Sequence, residues 1–206
     1  LPTDEIGMIE VKGPNVFKGY WRMPEKTQAE FRPDGYFITG DLGRIDPRGY
    51  VHIVGRGKDL IITGGYAPTK RGWLKPFASE MTNRLHAMRH QRVTGAVHEA
   101  GGAIALQVLH AGRYGYHPFS QSASDKKSPI TPFKPSAMSS KEVDHTATAF
   151  AKSVALARKA GYDAVEIMGS EGYLINQFLA ARTNDRDDAW GGSPTRRMHF
   201  AVEVVR

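Results

Sequence analysis

The order of secondary-structure signals in the second two thirds of the chain constrains its fold more than any other sequence feature. An apolar strand segment, "AIALQVLH" at residues 103–110, precedes a long loop, a helix and a second strand segment, "DAVEIM" at residues 163–168. Ser139 and Glu142 match a capping box that opens the helix, and Gly161 suits its C-terminal cap. This alternation of strand and helix predicts a parallel α/β sheet.

Loop lengths in this part depend on which end of a strand they follow. Residues 111–138 and 169–192 follow the two strands and exceed the usual length of about 4–6 residues, whereas the helix-to-strand turn at Gly161 is short. Ser193-Pro194 then opens a terminal helix. Long loops at the carboxyl ends of strands are typical of (β/α)8 barrels, where they carry the active site. We therefore predict a partial (β/α)8 TIM-barrel segment with parallel strands.

The first part of the chain has a different pattern. Short apolar segments alternate with turn formers, and residues 41–56 indicate a hairpin whose turn is Asp46-Pro47-Arg48-Gly49. Residues 23–31 are its one expected short helix. The sequence thus predicts two domains: a small, mainly antiparallel β segment over residues 1–62 and a barrel segment over residues 63–206.

The net charge of +7 falls entirely in the second part. Residues 1–66 carry nine basic and nine acidic side chains, and the remaining residues carry nineteen basic and twelve acidic side chains. These basic residues are scattered or paired and do not form a stripe with interleaved aromatic residues. A solvated surface or sites for a phosphorylated cofactor are therefore favoured over a nucleic-acid partner.

Other classes of site are excluded by composition. The chain has no cysteine, which rules out disulfides, a thiolate nucleophile and cysteine-ligated zinc or iron–sulfur clusters, and no metal site is predicted. No apolar run reaches the roughly 18 residues of a bilayer span, and the N-terminus lacks signal-peptide features. We expect a cytoplasmic location with no membrane partner. The first residue is Leu, which predicts that the chain is a fragment.

The second part closely resembles the flavin-dependent old yellow enzyme family, and within it the 2,4-dienoyl-CoA reductases. The matching stretches are "GGYAP", "VHEAGGAIALQVLHAGRYGYHPF", "ARKAGYDAVEIMGSEGYLINQFLAARTNDRDDAWGGS" and "RMHFAVEVVR". The resemblance implies FMN as cofactor, NAD(P)H as hydride donor and the C=C bond of an unsaturated acyl-CoA as substrate. It also implies that later strands of the family's barrel, with a flavin-phosphate site and a histidine that polarises the proton donor, follow Arg206.

The same resemblance assigns roles to five residues. Gln107 matches the glutamine whose amide contacts the pyrimidine edge of the flavin, and Gly65 matches a position where backbone approaches the flavin. His110 and Arg113, in "HAGR", would hydrogen-bond nearby and place positive charge beside the reduced flavin. Tyr173 matches the catalytic proton donor. A buried glutamine or a loop tyrosine usually has only a packing or hydrogen-bonding role, but their place inside long motifs favours function. For His110 the two interpretations are about equal.

The first part resembles the adenylate-forming, AMP-dependent acyl-CoA synthetases through "EIGMIEVKGPNVFKGYWRMPEKTQAEF" and "GYFITGDLGRIDPRGYVHIVGRGKDLIITGGY". In that family Asp41 matches the carboxylate that binds the ribose hydroxyls, Arg56 a second nucleotide contact and Lys58 a hinge. The resemblance implies a remnant of an ATP/AMP site and a chimera joined at Thr63–Pro68. The other interpretation of this stretch is a solvated hairpin without a nucleotide.

Three functional hypotheses follow. The chain is an oxidoreductase of the dienoyl-CoA reductase type, an acyl-CoA ligase remnant, or a non-catalytic fusion fragment. Both families use acyl-CoA thioesters, which implies fatty-acid metabolism. An open piece of a barrel leaves unpaired sheet edges, so we expect self-association through those edges. We also expect the isolated chain to be colourless and inactive, because a fragment without the phosphate site would bind FMN weakly.

Overall fold

The computed structural model describes residues 2–56 and 60–206. The chain divides into two compact units, Leu1–Leu60 and Ile61–Arg206. Within the described residues, no helix has the length and apolar character that a membrane crossing requires.

The first unit contains a three-stranded antiparallel sheet in the order β1-β2-β3, as predicted. Its strands are β1 (Gly7–Val11), β2 (Phe37–Ile45) and β3 (Val51–Arg56), and a short helix, α1 (Pro24–Glu30), precedes β2. Proline at the first helical position and a glutamate in the first turn favour the start of α1. The predicted hairpin between β2 and β3 and the predicted short helix are both confirmed.

The buried carboxylate of Asp46 organises the hairpin turn. It accepts hydrogen bonds from Nε2 of His52 at 3.0 Å and from the backbone N–H groups of Tyr50 and Arg48 at 3.0 Å and 2.9 Å. The N–H of Gly49 donates to the Asp46 carbonyl at 2.9 Å, which closes the turn. The hydrogen bond from His52, followed by those from the backbone, holds the pKa of Asp46 well below its usual range.

The second unit alternates strands and helices. From Leu60, the last residue of the first unit, onwards, the principal elements are β4 (Leu60–Ile62), α2 (Arg84–Glu99), β5 (Ala103–Val108), β6 (Gln121–Ser122), β7 (Ser136–Ala137), α3 (Ser140–Lys159), β8 (Ala164–Ile167), α4 (Leu174–Leu179) and α5 (Pro194–Val205). Strands β4, β5 and β8 are neighbours in one sheet, in that order. β5 and β8 run parallel, and the residues after β4 run parallel to β5 through a bridge between Tyr66 and Val108. The predicted α/β fold with adjacent parallel strands is confirmed.

One face of β5 packs against the helices. Ile104, Leu106 and Val108 are almost fully buried and share a core with Phe150 of α3 and Phe200 of α5. Burying each such side chain contributes about 1.5–3 kcal/mol, so this face fixes the register of the strand. Because side chains alternate along a strand, Gln107 lies on the opposite face, away from the helices.

Local signals place the helix ends correctly. Ser139 and Glu142 form the predicted capping box of α3, and Gly161 follows its end with a φ of +86°. Ser193 caps α5, where its side chain accepts from the Arg196 N–H. The helix α2 was not predicted, because only Ala87 and Thr94 of its sixteen residues are buried and the apolar periodicity is weak.

Candidate active site

The carboxyl ends of β5 and β8 meet through hydrogen bonds between the loops that follow them. The Leu174 N–H donates to the carbonyl of His110 at 3.1 Å. Gln177, buried in α4, makes four further hydrogen bonds. Its amide nitrogen donates to the carbonyls of Ala111 (3.2 Å) and Gly172 (2.7 Å), and its oxygen accepts from the N–H of Arg113 (2.9 Å) and the hydroxyl of Ser122 (2.8 Å).

Gln177 therefore fixes the two loops relative to each other. Gly112 makes this contact possible, since a Cβ there would come within 1.9 Å of the Gln177 amide oxygen, and its φ is +60°. The role of Gln177 was missed from the sequence. A usable signal was present: a glutamine between Ile175 and Phe178 in an apolar helix predicts a buried polar group that needs partners.

Gln107 and Gly65 lie together at the end of β5. A Cβ on the exposed Gly65 would come within 3.2 Å of the Gln107 amide oxygen and 2.8 Å of the Leu109 Cβ, so the two chain segments approach closely. The amide nitrogen of Gln107 donates to the carboxylate of Glu166 at 2.9 Å. Its amide oxygen accepts no hydrogen bond from the residues that the structure describes. Glu166, directly opposite Gln107 in the sheet, was not identified from the sequence.

His110 is completely buried, with its ring against the backbone of Gly72. Its Nδ1 accepts from the Gly112 N–H at 3.2 Å, which leaves the proton on Nε2, and Nε2 has no hydrogen-bond partner in the described part of the chain. Burial, with a smaller contribution from His117, lowers the pKa of His110 to about 3. The expected positive charge on His110 is therefore wrong, because the ring is neutral near pH 7.

Arg113 and Tyr173 lie on the two loops that Gln177 joins. The guanidinium of Arg113 lies over the ring of Tyr114, with Cζ 5.7 Å from the centroid, and the Tyr114 ring makes an edge contact with Tyr173 at 5.8 Å between centroids. Tyr173 is half-buried at the start of α4. The structure thus brings Arg113 and Tyr173 to the same edge of the sheet as Gln107, the edge that the sequence predicts.

The predicted nucleotide residues of the first unit lie in its hairpin. Asp41 of β2 and Arg56 of β3 are register partners in the antiparallel pair. The side chain of Arg56 and the whole of Lys58 lie outside the described residues. Asn184 and Arg186, by contrast, organise the loop after α4 through hydrogen bonds to backbone carbonyls. The Asn184 amide donates to the carbonyls of Phe178 and Trp190.

The residues at the end of β5 fit the pyrimidine end of a flavin. The backbone at Gly65 is exposed beside the Gln107 amide, and the Gln107 oxygen, which accepts no hydrogen bond from the described residues, can accept one from a ring N–H. The hydrogen bond to Glu166 holds the Gln107 amide in one orientation, with its oxygen near Gly65. Chemically, this edge offers an amide acceptor, a guanidinium and a phenol that can give up a proton.

Comparison with known proteins identifies the second unit. The sequence model of the NADH:flavin oxidoreductase / NADH oxidase family matches residues 50–206. An NADPH dehydrogenase of Geobacillus thermodenitrificans (strain NG80-2) is 35% identical over 71% of this chain and 43% of its own length. An NADPH dehydrogenase of Bacillus subtilis (strain 168) is 32% identical over 79% of this chain and 49% of its own length.

The second unit is also similar to a solved structure of a reductase. Morphinone reductase in complex with tetrahydroNAD superposes with a TM-score of 0.67 and 28% identity, over 71% of this chain and 46% of that protein. This similarity confirms the predicted partial barrel. The chain spans about half the length of these relatives.

Proposed function

Because the chain belongs to the NADH:flavin oxidoreductase / NADH oxidase family, we propose that residues 61–206 hold part of an FMN site in an NAD(P)H-dependent reductase. We further propose that its substrate is the activated C=C bond of an unsaturated acyl-CoA, as the resemblance to the dienoyl-CoA reductases implies. The observation that carries the proposal is the pairing of the exposed Gly65 backbone with the unoccupied amide oxygen of Gln107.

FMN, held at its pyrimidine edge by Gln107 and the Gly65 backbone, would supply the hydride-transfer chemistry between the nicotinamide nucleotide and one carbon of the alkene. Gln107 would orient the pyrimidine edge by accepting from a ring N–H, with Glu166 fixing the amide. Arg113 would supply positive charge on the loop after β5. Tyr173 would donate its hydroxyl proton to the second alkene carbon, after which water returns a proton to the phenolate. His110 would serve as a neutral, buried link between the loops.

A titration with FMN tests the flavin site. Quenching of flavin fluorescence by the purified chain gives the Kd, and Gln107→Leu should weaken binding roughly tenfold, since it removes hydrogen bonds worth about 0.5–1.5 kcal/mol each. Gln28→Leu, at an exposed position of α1, is the matched control and should leave the Kd unchanged. Equal affinity of Gln107→Leu and the wild type would remove the main support for the site.

Turnover tests the chemistry. The isolated chain should be inactive, as predicted above. In a protein whose barrel is completed with strands from a family member, we expect NAD(P)H oxidation with a dienoyl-CoA, and a smaller kcat/KM with the same dienoyl group on a short thioester without the nucleotide. Tyr173→Phe should reduce kcat by about 10²–10⁴-fold, the usual contribution of a general acid. Tyr50→Phe, at an exposed tyrosine of the first unit, is its control. Unchanged kcat in Tyr173→Phe would exclude this residue as the proton donor.

We propose, as a second candidate, that residues 1–62 are a remnant of an AMP-forming acyl-CoA ligase, joined to the barrel segment at Thr63–Pro68. The register pairing of Asp41 with Arg56 favours it. Chemical-shift changes of the hairpin amides on addition of AMP, lost in Asp41→Asn and kept in Asp34→Asn, would support it. A chain that binds neither FMN nor AMP would support the third hypothesis, a non-catalytic fragment. The cytoplasmic location stays a prediction.

A further inference from the structure

The loops that follow β5, β6 and α4 line an open basic pocket of about 920 Å³ in the second unit. Four of its lining residues are cationic, and none of the described lining residues is acidic. The four are Arg113, Lys126, Lys127 and Arg182. The rest of the lining is supplied by Tyr116 and by residues 128–132, which include two hydroxyl side chains.

Three of these cations have no carboxylate partner in the part of the chain that the structure describes. Lys126 lies 3.2 Å from the Asp185 carboxylate, but Arg113, Lys127 and Arg182 form no ion pair within residues 2–56 and 60–206. The Nε of Arg113 is also buried without a hydrogen-bond acceptor in the same part of the chain. A buried donor without an acceptor is costly, so its retention beside uncompensated charge points to an anionic ligand.

The size and position of the pocket restrict the ligand. Pockets for small molecules commonly measure about 300–1,000 Å³, so this one admits a group as large as a nucleotide. Arginine side chains bind phosphate oxygens in a bidentate manner, and several cations suit several phosphates. Arg113 also lies on the loop that carries His110 at the end of β5, so the pocket adjoins the candidate active site.

We propose that this basic pocket binds the phosphorylated ADP portion of a substrate nucleotide, while the reactive end of that molecule reaches the strand ends. The inference rests on the proposed function, because NADPH and acyl-CoA, the two substrates proposed there, both contain a phosphorylated ADP portion. NADPH carries a diphosphate and a 2′-phosphate on its adenosine, and acyl-CoA carries a diphosphate and a 3′-phosphate. Arg182 and Lys127 contact the phosphates, and Arg113 supplies the buried donor.

Isothermal titration of the 206-residue chain with adenosine 2′,5′-diphosphate, adenosine 3′,5′-diphosphate and inorganic phosphate tests the pocket. Both diphosphates should bind at least tenfold more tightly than inorganic phosphate, with affinity that falls as salt rises. The double variant Lys127→Gln/Arg182→Gln should weaken diphosphate binding at least tenfold. Lys152→Gln/Arg89→Gln removes the same two types of charge from exposed helix positions and should leave binding unchanged.

The relative affinities of the two diphosphate isomers show which nucleotide the pocket binds. Tighter binding of the 2′,5′ isomer assigns the pocket to a phosphorylated nicotinamide dinucleotide, and tighter binding of the 3′,5′ isomer assigns it to CoA. Equal binding of the isomers supports recognition of the shared phosphates. Equal loss of affinity in both double variants, or diphosphate binding no tighter than that of phosphate, overturns the proposal. FMN titration of the same variants separates it from the proposed function, since Lys127 and Arg182 are not among the proposed flavin contacts.

Discussion

The buried His110 should make the fold sensitive to mild acid. Its folded pKa of about 3 lies below the ordinary value of 6.5, so the unfolded chain binds a proton that the folded chain does not. The stability that it contributes is complete above pH 6.5 and is lost as pH falls from 6.5 towards 3. Between pH 6.5 and 5 this corresponds to about 2 kcal/mol of unfolding free energy, measurable by urea denaturation.

His110→Gln is the test of that assignment. His90 is also desolvated and its pKa is lowered, so a smaller dependence on pH should remain in the variant. If the variant and the wild type lose the same stability between pH 7 and 5, another group is responsible for the acid sensitivity.

Gln177 should contribute to stability out of proportion to its size. Gln177→Leu replaces the amide with an apolar side chain of similar size and leaves the N–H of Arg113 and two carbonyls without their partner. Each buried group left unsatisfied costs about 1–3 kcal/mol, so we expect a loss of at least about 3 kcal/mol in urea denaturation. Gln91→Leu, at an exposed position with one hydrogen bond to the Lys159 carbonyl, should cost less than about 1.5 kcal/mol. Similar losses would show that the hydrogen bonds between the loops contribute little.

At the scale of single elements, strand β3 is the part of the first unit most exposed to intermolecular pairing. It lies at the edge of the described sheet, and Val51 and Ile53 are 58% and 68% exposed. Edge strands with apolar side chains tend to pair with other chains, which a charged residue prevents. We therefore predict self-association that rises with concentration in sedimentation velocity and falls in Ile53→Lys.

The matched control for this edge is Leu85→Lys. Leu85 is 64% exposed on α2, so the substitution adds the same charge at an equally exposed aliphatic residue that belongs to no strand. Equal suppression by both variants would attribute the effect to net charge alone.

For the whole molecule, the two units should differ in stability. Within residues 2–55 the structure buries Gly43 and Asp46 but no large apolar side chain, whereas the core of the second unit includes Phe150, Phe178 and Phe200. Since buried apolar area is the main source of folding free energy, the first unit should open far more often. We expect amides of β1–β3 to exchange with deuterium at least ~100-fold faster than those of β5 and α3. Uniform protection would indicate one cooperative unit.

The sequence alone determined the features that depend on a few neighbouring residues. The capping box at Ser139, the proline start of α5 and the turn from Asp46 to Gly49 each need groups at most three or four positions apart, so their chemistry can be read directly. The alternation of strands with long loops likewise predicted the parallel sheet and the edge that carries the candidate site.

Only the tertiary structure decided the contacts between distant loops and the burial that they produce. Gln177 meets Arg113 across 64 residues, and Gln107 meets Glu166 across 59 residues. Arg182 lines the same pocket as Arg113, 69 positions earlier in the chain. His110 loses its charge because surrounding segments exclude water from its ring. A linear sequence specifies none of these environments, because charge state and partner choice depend on which segments come together in the folded chain.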